Sequence, residues 1–202
     1  MTSVCLVADC LKSYDKYREI NILMRLGPTL TGDKPMHILC FNKNFKFINE
    51  TLNDVHLLFS ESKTIRYQLV YSTNESIKII FYNINKMDKL LADHRVRKFL
   101  KSHGYTPLAG ADDYMNDLAE HLKHNRLPAE FGVFFGYPLK DVMGFMGHPS
   151  LKHVKTTAWK VYGDPTLSDH VLSKFESAEK KVLELCQTLP IPQALLVLDS
   201  AS

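Results

Sequence analysis

Two short segments concentrate the residues that could do chemistry. The first runs Pro128-Ala129-Glu130-Phe131-Gly132-Val133-Phe134-Phe135-Gly136-Tyr137-Pro138-Leu139-Lys140-Asp141-Val142-Met143-Gly144-Phe145. It sets Glu130, Tyr137 and Asp141 around an apolar run, and a strand end followed by a helix start presents free backbone N–H groups to a ligand. The plainer alternative is that Pro138 and Gly144 shape a turn, with Gly144 allowing close packing, while Asp141 caps or ion-pairs the helix. The second segment, Ala158-Trp159-Lys160-Val161-Tyr162-Gly163-Asp164-Pro165, holds the only tryptophan and sets Lys160 between aromatic residues. As a strand it would send Trp159 and Val161 to one face and Lys160 and Tyr162 to the other, and core packing is the stronger expectation for Trp159. Lys34 and Lys160 could each bring a full charge to an anion. The candidate ligand-binding set is Lys34, Glu130, Tyr137, Asp141, Trp159, Lys160, Tyr162 and Asp164, with no catalytic residue assigned.

Other constellations carry less. Glu120-His121-x-x-His124 places two imidazoles on one helix face, but it lacks the H-E-x-x-H order and a third ligand. His148 and His153 bracket a loop without a cysteine nearby. Neither zinc nor an iron–sulfur cluster is expected, and no cofactor is assigned. A phosphate loop, a G-x-S-x-G elbow and a dinucleotide fingerprint are all missing from the sequence.

Composition bounds the function classes. Of 202 residues, 45% are hydrophobic and 23% charged, and the net charge is only +3. This is ordinary globular composition, without the clustered basic stripe that nucleic acid demands. The four cysteines are scattered, a pattern that fits reduced thiols in a cytoplasm better than a disulfide scaffold. No stretch approaches the roughly 20 apolar residues that span a bilayer, and the N-terminus does not read as a signal peptide. Neither nucleic acid nor membrane is an expected partner; a small molecule or another protein is, and the oligomeric state stays open.

The elements that must position these residues follow from periodicity. Apolar spacing from Val4 to Tyr17 predicts a helix ending before Gly27-Pro28, and residues 34–41 suit a strand. Phe45 to Phe59 predicts a second helix. Alternation over 66–72 and 77–83, around a polar turn, predicts an antiparallel hairpin. Helices follow over 87–100, re-capped at Asp93 and stopped by Gly104, and over 111–122, ended by Asn125 to Pro128. Continuous apolarity at 131–136 predicts a central strand covered on both faces. Leu139 to Met146 predicts a short helix, 156–162 another interior strand, and Asp164-Pro165 the start of the last helix. The expected class is α+β, a mostly antiparallel mixed sheet of four to five strands packed by helices. Residues 1–189 form one domain in this reading, and 190–202 are a C-terminal tail.

Three segments together resemble an uncharacterised bacterial family of about this length, common in anaerobic Gram-positive bacteria. They are Gly27-Pro28-Thr29-Leu30-x-Gly32-x-Lys34-Pro35, Glu130-x-Gly132-x-Phe134-x-Gly136-Tyr137-Pro138-Leu139-x-Asp141-Val142-x-Gly144-Phe145, and Trp159-Lys160-Val161-Tyr162-Gly163-Asp164. The resemblance spans nearly the whole chain and brings no reaction with it. It also exposes departures. Many members of that family carry His-Glu-x-Gly where Ala129-Glu130-Phe131-Gly132 stands, and some carry cysteine near Gly27 and cysteines at Thr156 and Thr157; if those groups are functional in relatives that chemistry is missing here, and if they are structural nothing follows. The leading expectation is a cytoplasmic small-ligand-binding or regulatory module without its own catalytic centre. The alternatives are an enzyme using Glu130 as acid or base with Lys160 or Tyr162 (or Tyr137) nearby, and a structural module associating through the last helix or Ala194-Leu195-Leu196-Val197-Leu198.

Overall fold

The alternating hairpin forms where its pattern places it. In the computed structural model, which describes residues 3–72, 75–105, 110–124 and 126–201 with side chains from Tyr17 to Ser200, β2 (Ile65–Tyr71) pairs antiparallel with β3 (Ser76–Asn83). β1 (Met36–Asn42) pairs antiparallel with the other edge of β3, giving the order β1-β3-β2. The polar turn at 73–74 lies outside the described residues, as do the side chains of the predicted apolar stripe from Val4 to Tyr14.

β3 is the strand covered on both faces: all of its residues from Ile77 to Asn83 are buried. On one face Ile80 and Tyr82 join Met36, Val70, Leu100, Met115, Leu118, Phe131 and Phe134 in one core. On the other, Ile79 and Phe81 join Leu23, Leu26, Leu39, Phe59, Val182 and Leu198 in a second. The helices divide accordingly. α3 (Ile84–Ala92), α4 (His94–Ser102) and α5 (Ala111–Lys123) build the first core. α1 (Ser3–Leu30), α2 (Ile48–Phe59), α7 (Thr166–Thr188) and α8 (Ile191–Ala201) build the second. Residues 190–202, expected as a tail, thus contain a helix whose Ile191, Ala194 and Leu198 are buried. Among the described residues no helix is long and apolar enough to cross a membrane.

Local signals hold at most boundaries. Asp93 re-caps the chain as expected, its carboxylate accepting from Arg95 N at 2.9 Å, and Gly104 takes φ +88° to end α4. α1 runs past Gly27-Pro28 to Leu30 instead of stopping before them; so close to the C-terminal end, the N–H that proline lacks costs the helix one bond. Gly27 serves packing there, because a Cβ would sit 3.1 Å from the Glu179 Cα of α7.

Two expected strands are corrected. Residues 131–136 are no strand: Ala129–Val133 is a 3-10 helix leading into a turn at Gly136, φ +77°. Phe131 and Phe134, three apart, are both fully buried, which suits three residues per turn and not alternation. The segment still meets the sheet, since Phe134 O accepts from Met36 N at 3.0 Å. Residues 156–162 do not join the main sheet either. They split into β4 (His153–Thr156) and β5 (Lys160–Tyr162), a separate two-stranded sheet with Trp159 in its turn. The class is α+β, and among the described residues it has sheets of three and two strands in place of one of four to five.

One buried group has no counterpart. Thr29 is fully buried, and its hydroxyl has no hydrogen-bond partner among the described residues. Thr29→Val keeps the shape and removes the stranded hydroxyl, so it should stabilise the fold by about 1 kcal/mol, read from chemical denaturation.

Candidate functional site

Asp141 stands at the start of α6 (Leu139–Phe145) and is 2% exposed. Its Oδ1 accepts from Lys140 Nζ at 2.7 Å and Tyr162 N at 2.8 Å; its Oδ2 accepts from Trp159 Nε1 at 2.8 Å and Ser168 Oγ at 2.6 Å. Burial pushes its pKa up, but the hydrogen bonds from Lys140, Ser168, Tyr162 and Trp159 outweigh it and hold the carboxyl below the usual range. Lys140 also donates to Tyr162 O and Ser168 Oγ, both at 2.8 Å. One ion pair therefore ties α6 to β5 and to the first turn of α7. Gly144 completes the joint: a Cβ there would run into the Tyr162 ring.

Beside this joint a cleft of about 440 Å³ opens, bounded by the 3-10 helix, α6 and the β4–β5 turn. Its walls include Ala129, Phe135, Tyr137, Phe145, Trp159 and Lys160. Tyr137 stacks on Trp159 with centroids 4.8 Å apart, and Phe135 stacks on Tyr137 at 5.7 Å. A second cleft of about 240 Å³ lies between α2, β2 and α8. There Asp199 is taken up by Ser62, Lys63 and Thr64, leaving mainly leucines.

Of the eight sequence candidates, Tyr137, Asp141, Trp159 and Lys160 line the larger cleft. The other four lie elsewhere. Glu130 accepts from the Tyr105 hydroxyl at 2.9 Å. Tyr162 packs on Gly144 and its ring meets His153 edge-on. Asp164 caps α7 by accepting from Thr166 N at 3.0 Å. Lys34 is 9% exposed, held between the Phe135 and Phe175 rings at 5.5 and 5.6 Å, and 3.1 Å from His37 Nδ1. The sequence reading missed Lys140, Ser168, Phe135 and Phe145. A basic–acidic pair at a helix start was the available sign of Lys140; nothing local marks Ser168, which is 27 residues from Asp141. Among the described residues no three His, Cys, Asp or Glu side chains gather as a metal centre would need.

Three tests follow from this geometry. Asp141→Asn removes the charge facing Lys140 and turns an amide NH₂ toward bound donors. It should cost about 3 kcal/mol of unfolding free energy in urea. Burial lowers Lys34 to about 8 against the opposing Glu179 carboxylate. Between pH 8 and 10.5 the unfolded chain keeps a proton that the folded one releases, so stability should rise with pH in that window, by at most about 1.4 kcal/mol per unit. Lys34→Met should flatten that rise. Burial, then the Lys34 and Arg25 charges, lower His37 to about 3. Below pH 6.5 the unfolded chain takes up a proton that the folded one refuses, so stability should fall from there toward pH 3, and His37→Gln should reduce the loss.

No curated protein and no solved structure matches this chain. Residues 22–195 do match a family model, a span that takes in all three motif segments. The chain belongs to DUF3793, a family of proteins of unknown function.

Proposed function

We propose that this protein is a cytoplasmic small-ligand-binding module, without a catalytic centre of its own, and that its ligand occupies the cleft between the 3-10 helix, α6 and the β4–β5 turn. The observation that carries the reading is the cleft itself. About 440 Å³ falls within the size range of small-molecule sites, and aromatic walls with a few polar groups are their usual lining. The rigid Asp141 joint beneath it supports a preformed site. An enzyme built on Glu130 is less favoured, because Glu130 and Tyr162 are engaged away from the cleft. One observation favours association through α8: Leu57 and Leu196, 68% and 70% exposed, flank the smaller cleft.

Native mass spectrometry of freshly purified protein should find a retained small molecule in wild type and none in Ala158→Phe, which fills the cleft from an exposed turn. Added back at about 100 times its Kd, that molecule should raise the Tm of wild type alone by about 5–10 °C. Equal retention by both proteins would move the site elsewhere. A wild type that is dimeric in sedimentation and turned monomeric by Leu196→Lys would favour the association reading.

A further inference from the structure

The cleft is electrically lopsided. Among the described residues two lining side chains carry full charge, Asp141 and Lys160. Asp141 has two donors on each oxygen and Lys140 against its charge, so its roughly four acceptor sites are filled before any ligand arrives. Lys160 is in the opposite condition. It is exposed, no carboxylate among the described residues pairs with it, and its recorded contact is the Phe145 ring, 5.7 Å from Nζ. Nearby Lys155 is already paired with Asp169 at 2.7 Å. Among the described residues the site therefore presents one unneutralised cation and no unneutralised anion.

Its apolar part is equally particular. Tyr137 and Trp159 stack within 22° of parallel, and so do Phe135 and Tyr137. Phe145 stands 56% exposed on the lining. The Tyr137 hydroxyl has no partner among the described residues, and burial raises its pKa, so it stays a neutral donor at ordinary pH. Tyr137 already has Phe135 and Trp159 stacked against it, so the ring that offers a face to a flat guest is the exposed Phe145, and stacked rings gain beyond the area they bury.

Resting on the reading of this cleft as the ligand site, we infer that its ligand is a planar aromatic monoanion: a conjugated ring system laid on the Phe145 ring and against the edge of the Tyr137–Trp159 stack, with one carboxylate or similar anionic group toward Lys160. One cation calls for one charge. A cationic guest would meet Lys160 without finding a free carboxylate, and a polyanion would leave charge unmet.

The single tryptophan makes the test direct, because Trp159 supplies the chain's one indole N–H and that group donates to Asp141 inside the site. In ¹⁵N-labelled protein at low salt, the indole cross-peak is followed against three probes. These are 2-naphthoate, 2-naphthamide with the same rings and no charge, and decahydro-2-naphthoate with the charge and no aromatic ring. Saturable movement is expected with 2-naphthoate binding about fivefold tighter than either analogue, the scale of a partly exposed ion pair. Lys160→Gln should bring naphthoate and naphthamide within about twofold of each other, and added salt should narrow the gap in wild type. Equal affinity of naphthoate and naphthamide in wild type would overturn the anion inference while leaving the cleft as a ligand site. Equal affinity of naphthoate and its decahydro form would overturn the aromatic one. A peak that none of the three probes moves would overturn both this inference and the proposed function.

Discussion

A carboxylate taken out of water is tolerated when its charge and its lone pairs are met by the protein. At Asp141 they are met from three elements at once: Lys140 beside it on α6, Tyr162 and Trp159 at β5, and Ser168 on α7. The apolar cluster that joins β5 to α7, Trp159, Val161 and Phe175 with Tyr137, Val171 and Leu172 packed against it, contains no residue of α6. Directional bonds do what bulk hydrophobicity cannot. Once the indole N–H is fixed on Asp141, the Trp159 ring is fixed in turn, and with it the Tyr137 ring stacked against it. Asp199 repeats the device elsewhere in the fold, taking hydrogen bonds from residues 62–64 to fasten α8 beside β2.

What the sequence disclosed was the part governed by neighbours in the chain. The β2–β3 hairpin, the Asp93 cap and the stop at Gly104 each rest on a few adjacent residues, and each was legible. Residues 131–136 were not. A short apolar run has no period of its own, and burial on all sides looks the same whether the backbone is extended or wound. The clue lay in punctuation, Pro128, Gly132, Gly136 and Pro138, which breaks a strand but suits a tight buried turn. The argument that continuous apolarity marks a doubly covered strand was sound, but the strand it describes is β3, with Ile77 to Tyr82 apolar at every position except Lys78. The β4–β5 hairpin was invisible for a similar reason: its turn lacks the Asn-Gly or Asp-Gly pair that announces such turns.

The candidate site was half legible, and the division is physical. Residue type and local density pointed to Tyr137, Asp141, Trp159 and Lys160, the four that meet at the cleft. Density could not separate them from Glu130, Tyr162 and Asp164, which are spent on Tyr105, on packing against Gly144 and on a helix cap. Polar residues beside glycine and proline serve turns, caps and ligands alike, and only the partner across space decides. Lys34 shows the limit most clearly: a cation in a conspicuous motif, it is held between two phenylalanine rings inside the protein.

The covering of β3 carries a consequence for how the chain is made. One face is covered by α3 to α5, which follow it at once; the other has α1 and α2, made before it, and is completed only when Val182, Cys186 and Leu198 arrive. About 100 residues separate Phe81 from Val182, so a chain leaving the ribosome at about 5–20 residues per second keeps that core incomplete for roughly 5–20 s. Phe81 has Phe59 of α2 to pack on from the start, but the side of this core that α7 and α8 seal in the finished protein is during that interval an adhesive surface on a nascent chain. Gly27 then admits α7 against α1 at backbone distance, so two helices far apart in the chain become neighbours only once α7 has been made.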